Sequence, residues 1–303
     1  MVLAAGVTYV DLNFLGRPHA IATGVIRDAR GTALIDPGPT SCLTALEEGL
    51  HAQGIPLAEV THLLLTHIHL DHAGVSGTIV KRHPHIRVLV HERGALHMVD
   101  PQKLLDSATR LYGADMDRLW GEFLAVPAAN IQSLSGGERL DVAGRTFEVA
   151  YTPGHASHHV SFYDASSGVA FVGDTAGIRI DGGYIVPPTP PPDIDIEAWT
   201  ASAARIDAWQ PQTLFLTHFG PSSVPPATHM QTLLEHLDTS SRLARDTLSL
   251  AGTDDDRRQR FAEQLKLELR RHMTEAQIAT YGVAAPYEML WDGLARYWRK
   301  RSR

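Results

Sequence analysis

The sequence predicts a layered α/β protein whose sheets contain both parallel and antiparallel strands. Eight short runs rich in apolar and β-branched residues alternate with helical patterns over the first 220 residues, which is typical of α/β folds. Two pairs of runs are joined by turns at Asp28–Gly31 and Asp164–Gly168, and these turns are too short for the crossover that parallel neighbours need. We therefore expect mixed sheets.

The elements follow one another along the chain from a first strand predicted within residues 1–14. The eight runs are AIATGVI (20–26), TALIDPG (32–38), THLLLTH (61–67), IRVLVHE (86–92), TFEVAYTPG (146–154), HVSFYD (159–164), VAFVGDT (169–175) and TLFLTHF (213–219). Leucine and aromatic residues at helical spacing predict a helical insertion over residues 93–128. We expect residues 1–220 to form the main domain and residues 221–303 a helical extension packed on it.

A proline-rich segment follows the seventh run. Residues 184–199 contain five prolines, which lack amide donors and fix φ, so the sequence predicts an extended surface loop over residues 184–195. Asp195 or Ile196 is expected to open the next helix. The loop and the insertion can gate a site, or the loop can simply be solvated.

Composition and charge exclude several classes of protein. Of 303 residues, 44% are apolar and 20% charged, as in an ordinary globular protein. The net charge of −7 does not suit a nucleic-acid partner. The single cysteine indicates a reducing compartment, the cytoplasm, and no apolar run approaches the roughly 18 to 20 residues of a membrane span.

Histidine is the unusual residue, with 17 copies. Three of them lie with an aspartate in the string His67-Ile68-His69-Leu70-Asp71-His72, directly after an apolar run. Residues i and i+2 of an extended chain face the same side, so His67 and His69 can bind one ion. A turn into a helix would direct Asp71 and His72 at a second ion.

Three further candidates, His155, Asp174 and His218, each follow a predicted strand. Because the carboxyl ends of strands in α/β sheets meet at one crevice, all these side chains are expected to converge there. Five imidazoles and two carboxylates suit Zn²⁺, and also Fe or Mn. The sequence therefore predicts a site for divalent metal ions.

The motifs H-x-H-x-D-H, TPGH, GDT and LTHFG, in this order, resemble those of the metallo-β-lactamase superfamily over about residues 5–220. The resemblance implies an αββα four-layer sandwich of two mixed sheets. It implies two metal ions, the first bound by His67, His69 and His155 and the second by Asp71, His72 and His218, with Asp174 bridging both. An aspartate at position 71, where the common zinc β-lactamases have cysteine, makes the chain more similar to the glyoxalase II and lactonase branches.

Two more residues are expected to lie beside such a centre. Asp36 in LIDPGP corresponds to a family aspartate that orients ligands through hydrogen bonds. His159 is expected either to donate a hydrogen bond to a ligand or to pack beside one.

The chemistry implied is hydrolysis of a small-molecule ester, lactone, thioester or phosphoester by a hydroxide held between the ions. Asp71 would orient this hydroxide, and Asp174 would bind both metals. A mononuclear iron enzyme resembling persulfide dioxygenases is the alternative, and nuclease action is disfavoured by the acidic charge. A homo-oligomer stays open, since the C-terminal helices can bury an interface as readily as cover a sheet.

Overall fold

Two β-sheets face each other in this protein, with helices on both outer sides. The structure is a computed structural model that describes residues 2–302. Both sheets are mixed, which confirms the predicted αββα sandwich.

Seven strands form the first sheet in chain order: β1 Val2–Ala4, β2 Val7–Asp11, β3 Ala22–Asp28, β4 Gly31–Ile35, β5 Val60–Leu64, β6 Arg87–His91 and β7 Ile131–Leu134. Neighbours are antiparallel from β1 to β4 and parallel from β4 to β7. The single first strand predicted within residues 1–14 is wrong, because Gly6 turns the chain at a φ of 70° and divides the segment into β1 and β2.

Six strands form the second sheet: β8 Arg139–Val142, β9 Arg145–Tyr151, β10 Val160–Asp164, β11 Val169–Phe171, β12 Thr213–Leu216 and β13 Gly220–Pro221. Their spatial order is β13, β12, β11, β10, β9, β8, and only β11 and β12 are parallel to each other. The hairpins predicted at Asp28–Gly31 and Asp164–Gly168 join β3 to β4 and β10 to β11.

Eleven α-helices are found in residues 2–302: α1 Leu43–His51, α2 Leu70–Ala73, α3 Ser76–Arg82, α4 Glu92–Val99, α5 Gln102–Tyr112, α6 Met116–Trp120, α7 Ile196–Ala208, α8 Pro226–Leu248, α9 Asp254–Leu269, α10 Glu275–Ala284 and α11 Tyr287–Arg301. Residues 93–128, assigned by the sequence to a helical insertion, contain most of α4, all of α5 and α6, and an irregular end. They lie between β6 and β7.

Alternation along the strands divides the apolar residues among the layers. In β4, Ala33 and Ile35 point between the sheets, whereas Leu34 packs under the outer helices, because successive side chains of a strand face opposite sides. The phenylalanines Phe147, Phe162, Phe171 and Phe215 fill the space between the sheets. The outer face of the second sheet is covered by α7 and α8.

The predicted exposure of residues 184–195 is wrong for the first half of this segment. Residues 184–189 are buried, since α8 packs on Tyr184 and Ile185 and α11 lies across Thr189. A Cβ atom built on Gly293 would stand 2.1 Å from the carbonyl oxygen of Thr189, so only glycine permits this approach. The Thr189 hydroxyl donates to the Leu290 carbonyl at 2.9 Å. Residues 184–189 thus form an interior loop, and the segment ends where the Asp195 side chain caps α7, as predicted.

The C-terminal helices share one apolar cluster with this loop. Trp199, Phe261, Tyr281 and Trp291 lie in that cluster and are almost fully buried. Capping boxes at Thr253 and Thr274 begin α9 and α10. Among residues 2–302 no helix combines the length and the hydropathy that crossing a bilayer would require.

Candidate metal centre

The seven predicted metal-binding side chains meet at one edge of the sandwich. His67 and His69 follow β5, His155 follows β9, and Asp174 and His218 follow β11 and β12. Their donor atoms form two groups, each with all members within 4.8 Å of one another: His67, His69, His155 and Asp174 in the first group, and Asp71, His72 and His218 in the second. The convergence expected from strand ends is therefore present.

The first group brings ring nitrogens close together. His69 Nδ1 lies 2.9 Å from His67 Nε2 and 2.9 Å from His155 Nε2. The second oxygen of Asp174, Oδ2, lies 3.4 Å from His155 Nε2. These nitrogens and the oxygen face a common point.

The hydrogen bonds around the first group show which nitrogens carry protons. The Thr66 hydroxyl donates to Asp36 at 2.7 Å, so its oxygen accepts from His67 Nδ1, 3.1 Å away. His155 Nδ1 donates to the Pro188 carbonyl at 2.8 Å. Neutral His67 and His155 thus present bare Nε2 lone pairs. His69 can donate to only one of them, so the donor set fits a cation.

The second group is built around two carboxylates. His218 Nε2 lies 3.3 Å from Asp71 Oδ2, and His72 Nε2 lies 3.3 Å from Asp174 Oδ1. Within residues 2–302, His72 Nε2 and Asp174 Oδ1 are buried without a hydrogen-bond partner. Buried polar atoms are rarely left unpaired, and a metal ion would satisfy both. Asp174 faces both groups, with Oδ2 toward the first and Oδ1 toward the second.

Asp36 connects the second group to the strand ends. Its carboxylate accepts from the Thr66 amide at 2.8 Å, from the Thr66 and Thr217 hydroxyls at 2.7 and 2.8 Å, and from His72 Nδ1 at 2.9 Å. Asp36 is fully buried and holds a left-handed φ of 50°, a costly conformation that surrounding contacts must maintain. The hydrogen bond from His72 Nδ1 to Asp36 is the contact that the predicted orienting role requires.

Backbone carbonyls orient two other rings. His155 Nδ1 donates to Pro188, within the interior loop, and His218 Nδ1 donates to the Ala20 carbonyl at 2.7 Å. In both rings the proton is held on Nδ1, which leaves Nε2 free for a metal. The loop is therefore a support of the site.

His159 does not donate a hydrogen bond to a metal-binding residue, which is the first of the two expectations for it. It makes no hydrogen bond to the seven residues; its Nδ1 instead lies 3.0 and 3.1 Å from the Thr152 and Thr175 hydroxyls. Its ring stacks on His67 with 5.0 Å between centroids, which is the packing alternative. Gly173 makes room for it, because a Cβ there would stand 2.7 Å from His159 Nε2.

Burial and charge separate the pKa values of the two groups. Burial lowers the pKa of His67, His69 and His155 below the ordinary value of histidine. Burial would also lower the pKa of His72 and His218, but the Asp174 and Asp71 carboxylates raise both. The carboxylates therefore favour the protonated rings of the second group, so a cation competes with protons more strongly there than at the first group.

A cavity of about 260 Å³ opens onto this centre. His69, Asp71, His155 and Asp174 line one side of it. Tyr112, from the end of α5, lines the cavity as well, and burial together with the Asp71 and Asp174 carboxylates raises its pKa above the ordinary range. Its hydroxyl stays protonated and has no hydrogen-bond partner within residues 2–302.

Sequence reasoning missed Thr66, Thr217 and Tyr112. The two threonines had a signal: each precedes a histidine at the end of an apolar run, in LLLTH and LFLTH. Tyr112 had none, because its role depends on how α5 packs. The Pro188 and Ala20 carbonyls had none either, since any residue type supplies a carbonyl.

Comparison with known proteins gives a consistent result. The model of the metallo-beta-lactamase superfamily matches residues 16–218. The chain is 29% identical over 168 residues to a metallo-beta-lactamase fold-containing protein of Sulfurisphaera tokodaii, covering 54% of this chain and 62% of that protein. It is 30% identical over 118 residues to a hydroxyacylglutathione hydrolase of Synechococcus, covering 39% and 35%. The chain thus spans less than two thirds of either relative.

Solved structures share the fold over nearly the whole chain. A metallo-beta-lactamase family protein from Thermus thermophilus superposes with a TM-score of 0.74 at 21% identity, covering 99% of this chain and 95% of that one. An archaeal superfamily protein from Sulfolobus tokodaii gives 0.66 at 22% identity, covering 95% and 98%. The C-terminal helices, outside the matched residues 16–218, are included in these superpositions.

Proposed function

Because this chain belongs to the metallo-beta-lactamase superfamily, we propose that it is a binuclear metal-dependent hydrolase of an ester-type bond in a small molecule. The bond is a lactone, a thioester or a phosphoester. The observation that carries the proposal is the pair of donor groups that share Asp174 at the floor of one cavity.

The donor set supports zinc as the metal. Imidazole and carboxylate ligands without sulfur suit Zn²⁺, and Fe or Mn as alternatives. His67, His69 and His155 would hold one ion, Asp71, His72 and His218 the other, and Asp174 both. Such ions, when bound, activate water near neutral pH and polarise the bond under attack. In the mononuclear alternative only the first donor group would bind a metal ion. The donor atoms of the second group would then converge without a cation between them.

The protein's own residues would then orient the reaction. The Asp71 carboxylate is 19% exposed, so it can accept a hydrogen bond from the attacking water. The Tyr112 hydroxyl, protonated and unpartnered, can donate to the oxygen on which negative charge develops. Asp36 and the Pro188 and Ala20 carbonyls keep the histidine rings in position throughout.

The names of relatives bear on the substrate only as a guide. One relative is a hydroxyacylglutathione hydrolase, which supports testing a thioester. Lactones and phosphodiesters belong in the same screen, because the centre described here is suited to all three.

The test is Asp174→Ala, compared with Asp117→Ala on the surface helix α6. We expect Asp174→Ala to lose bound metal and hydrolysis together, and Asp117→Ala to keep both. The measurements are metal content by elemental analysis and hydrolysis of a lactone, thioester and phosphodiester panel. Full activity in a metal-poor Asp174→Ala protein would refute the proposal.

A further inference from the structure

The cavity above the metal centre has an apolar wall that takes no part in the proposed chemistry. One part is a face of α5, on which Leu104, Ala108 and Leu111 line the cavity at helical spacing. The other part is the segment 284–290, which lies outside the residues matched by the superfamily model. It lines the cavity with Ala284, Ala285, Pro286, Met289 and Leu290.

The two parts leave apolar surface facing the open cavity. Leu111 is 37% exposed, and Leu104 and Met289 are half-buried. A single exposed leucine needs no explanation. An apolar lining that shares a cavity with buried polar groups is a feature of ligand sites, because covering it with an apolar group removes that surface from water.

The part of the wall formed by residues 284–290 is fixed relative to the metal-binding residue His155. The Leu290 carbonyl accepts from the Thr189 hydroxyl at 2.9 Å, and Gly293 holds α11 against the same loop. One residue before Thr189, the Pro188 carbonyl accepts from His155 at 2.8 Å. A substrate whose carbonyl reaches the metal centre would therefore place its substituent beside a preformed surface.

From these observations we infer, building on the hydrolase function proposed above, that the substrate is a carboxylic ester or thioester with an apolar acyl group. The acyl group binds between α5 and residues 284–290. Charged side chains of both signs, Arg93, Lys103 and Asp193, also line the cavity, so its lining does not favour one sign of charge in the acyl group. The volume of about 260 Å³ lies below the roughly 300–1,000 Å³ of drug-sized sites, so the acyl chain is short to medium in length.

The experiment uses the metal-loaded protein and p-nitrophenyl esters from acetate to octanoate. Each methylene buried against the wall should raise kcat/KM about fourfold, until the chain outgrows the cavity and kcat/KM falls. Titration calorimetry with acetate, butyrate and hexanoate measures acyl binding independently of hydrolysis.

Two variants place a carboxylate in the wall, Leu111→Glu on α5 and Met289→Glu on α11. Each should lower kcat/KM for the hexanoate ester about 10-fold or more while the acetate ester stays within about twofold. Leu96→Glu is the matched control: Leu96 is a 76% exposed leucine on the neighbouring helix α4 that does not line the cavity, and it should keep the wild-type profile. Circular dichroism and metal content confirm that each variant is folded and loaded.

A flat chain-length profile in the wild type would overturn the inference, and so would variants that keep the wild-type profile or lose all esters equally. If no ester is hydrolysed at all, the proposed function fails, but calorimetry still decides the acyl wall. Hexanoate must then bind more tightly than acetate to the wild type and lose that advantage in both variants. Equal affinities would overturn the wall independently of catalysis.

Discussion

Replacing Asp36 by asparagine tests whether one buried carboxylate both stabilises the strand ends and orients a metal-binding ring. Four donors converge on Asp36: the Thr66 amide, the Thr66 and Thr217 hydroxyls and His72 Nδ1. Asparagine is nearly isosteric, but its amide nitrogen cannot accept. In either orientation of the amide, at least one buried donor therefore faces another donor.

The size of the effect follows from these contacts. A buried hydrogen bond to a charged group contributes roughly 1.5–3 kcal/mol, and removing one partner of a buried charged pair costs roughly 3–5 kcal/mol. We expect Asp36→Asn to lower the free energy of unfolding of the metal-free protein by about 3 kcal/mol. Loss of the negative charge opposite His72 Nδ1 should also weaken metal binding about 10- to 100-fold.

Asp164→Asn is the matched control. Asp164 is also fully buried, and it accepts from Ser166 N, Ser166 Oγ, Ser167 Oγ and Arg145 Nη1. It lies at the far end of β10 from His159, away from the metal-binding groups. Urea unfolding of metal-free protein should show destabilisation by both variants, whereas competition with a zinc-binding dye should show weakened affinity only for Asp36→Asn. Wild-type zinc affinity in Asp36→Asn, or equal weakening in both variants, would refute the reasoning.

Four further predictions follow from other contacts. Gly293→Ala should cost about 1–3 kcal/mol of stability, because its Cβ would stand 2.1 Å from the Thr189 carbonyl, whereas Gly282→Ala, with no atom nearer than 3.3 Å, should melt close to the wild type; equal melting temperatures for Gly293→Ala and the wild type would contradict the contact. Tyr112→Phe should lower kcat about 100-fold at unchanged metal content, and an unchanged kcat would exclude the hydroxyl from the reaction. Burial would raise the pKa of Asp164, but the Ser166 and Ser167 hydroxyls and Arg145 lower it below its ordinary value, so its carboxylate stabilises the fold above the unfolded-state pKa of about 4 and loses that effect as the pH falls through the folded pKa. The stability difference between wild type and Asp164→Asn should therefore be constant from about pH 5 to 8 and shrink below about pH 4. Urea unfolding at several pH values measures this difference, and a difference that stays the same below about pH 4 would contradict the prediction. Removing metal with a chelator should lower the free energy of unfolding by about 2.7 kcal/mol for each site held at 100 times its Kd, and an unfolding midpoint that does not change with zinc would argue against binding to the folded state.

The layered fold and the convergence of the site could be predicted because their signals are local. Imidazoles at i and i+2 after an apolar run, and acids or histidines after three other runs, need only the rule that strand ends meet at a sheet edge. The two hairpins could likewise be predicted, because their turns are short. The strands β7 and β8 escaped prediction because IQSL and RLDV are only four residues long and half polar.

The parts that could not be predicted depend on contacts between distant segments. Nothing in residues 184–189 reveals that α8 and, about a hundred residues later, α11 bury them. The apolar wall has the same origin, because Leu111 and Met289 become neighbours of one cavity only when the C-terminal helices pack on the loop. His159 shows the limit at the site itself: its place beside the cluster was foreseen, but the choice between hydrogen bonding and stacking depended on Gly173 and two threonine hydroxyls.

Metal content is the measurement that tests the central claim most directly. Elemental analysis of protein purified without added metal, followed by zinc reconstitution and assay, gives both the identity of the ions and their number per chain. The two donor groups predict close to two zinc ions per chain, with hydrolysis that is lost on chelation and restored by zinc. A single iron per chain, with no hydrolysis after reconstitution with zinc, would contradict the binuclear hydrolase and favour the mononuclear oxidoreductase.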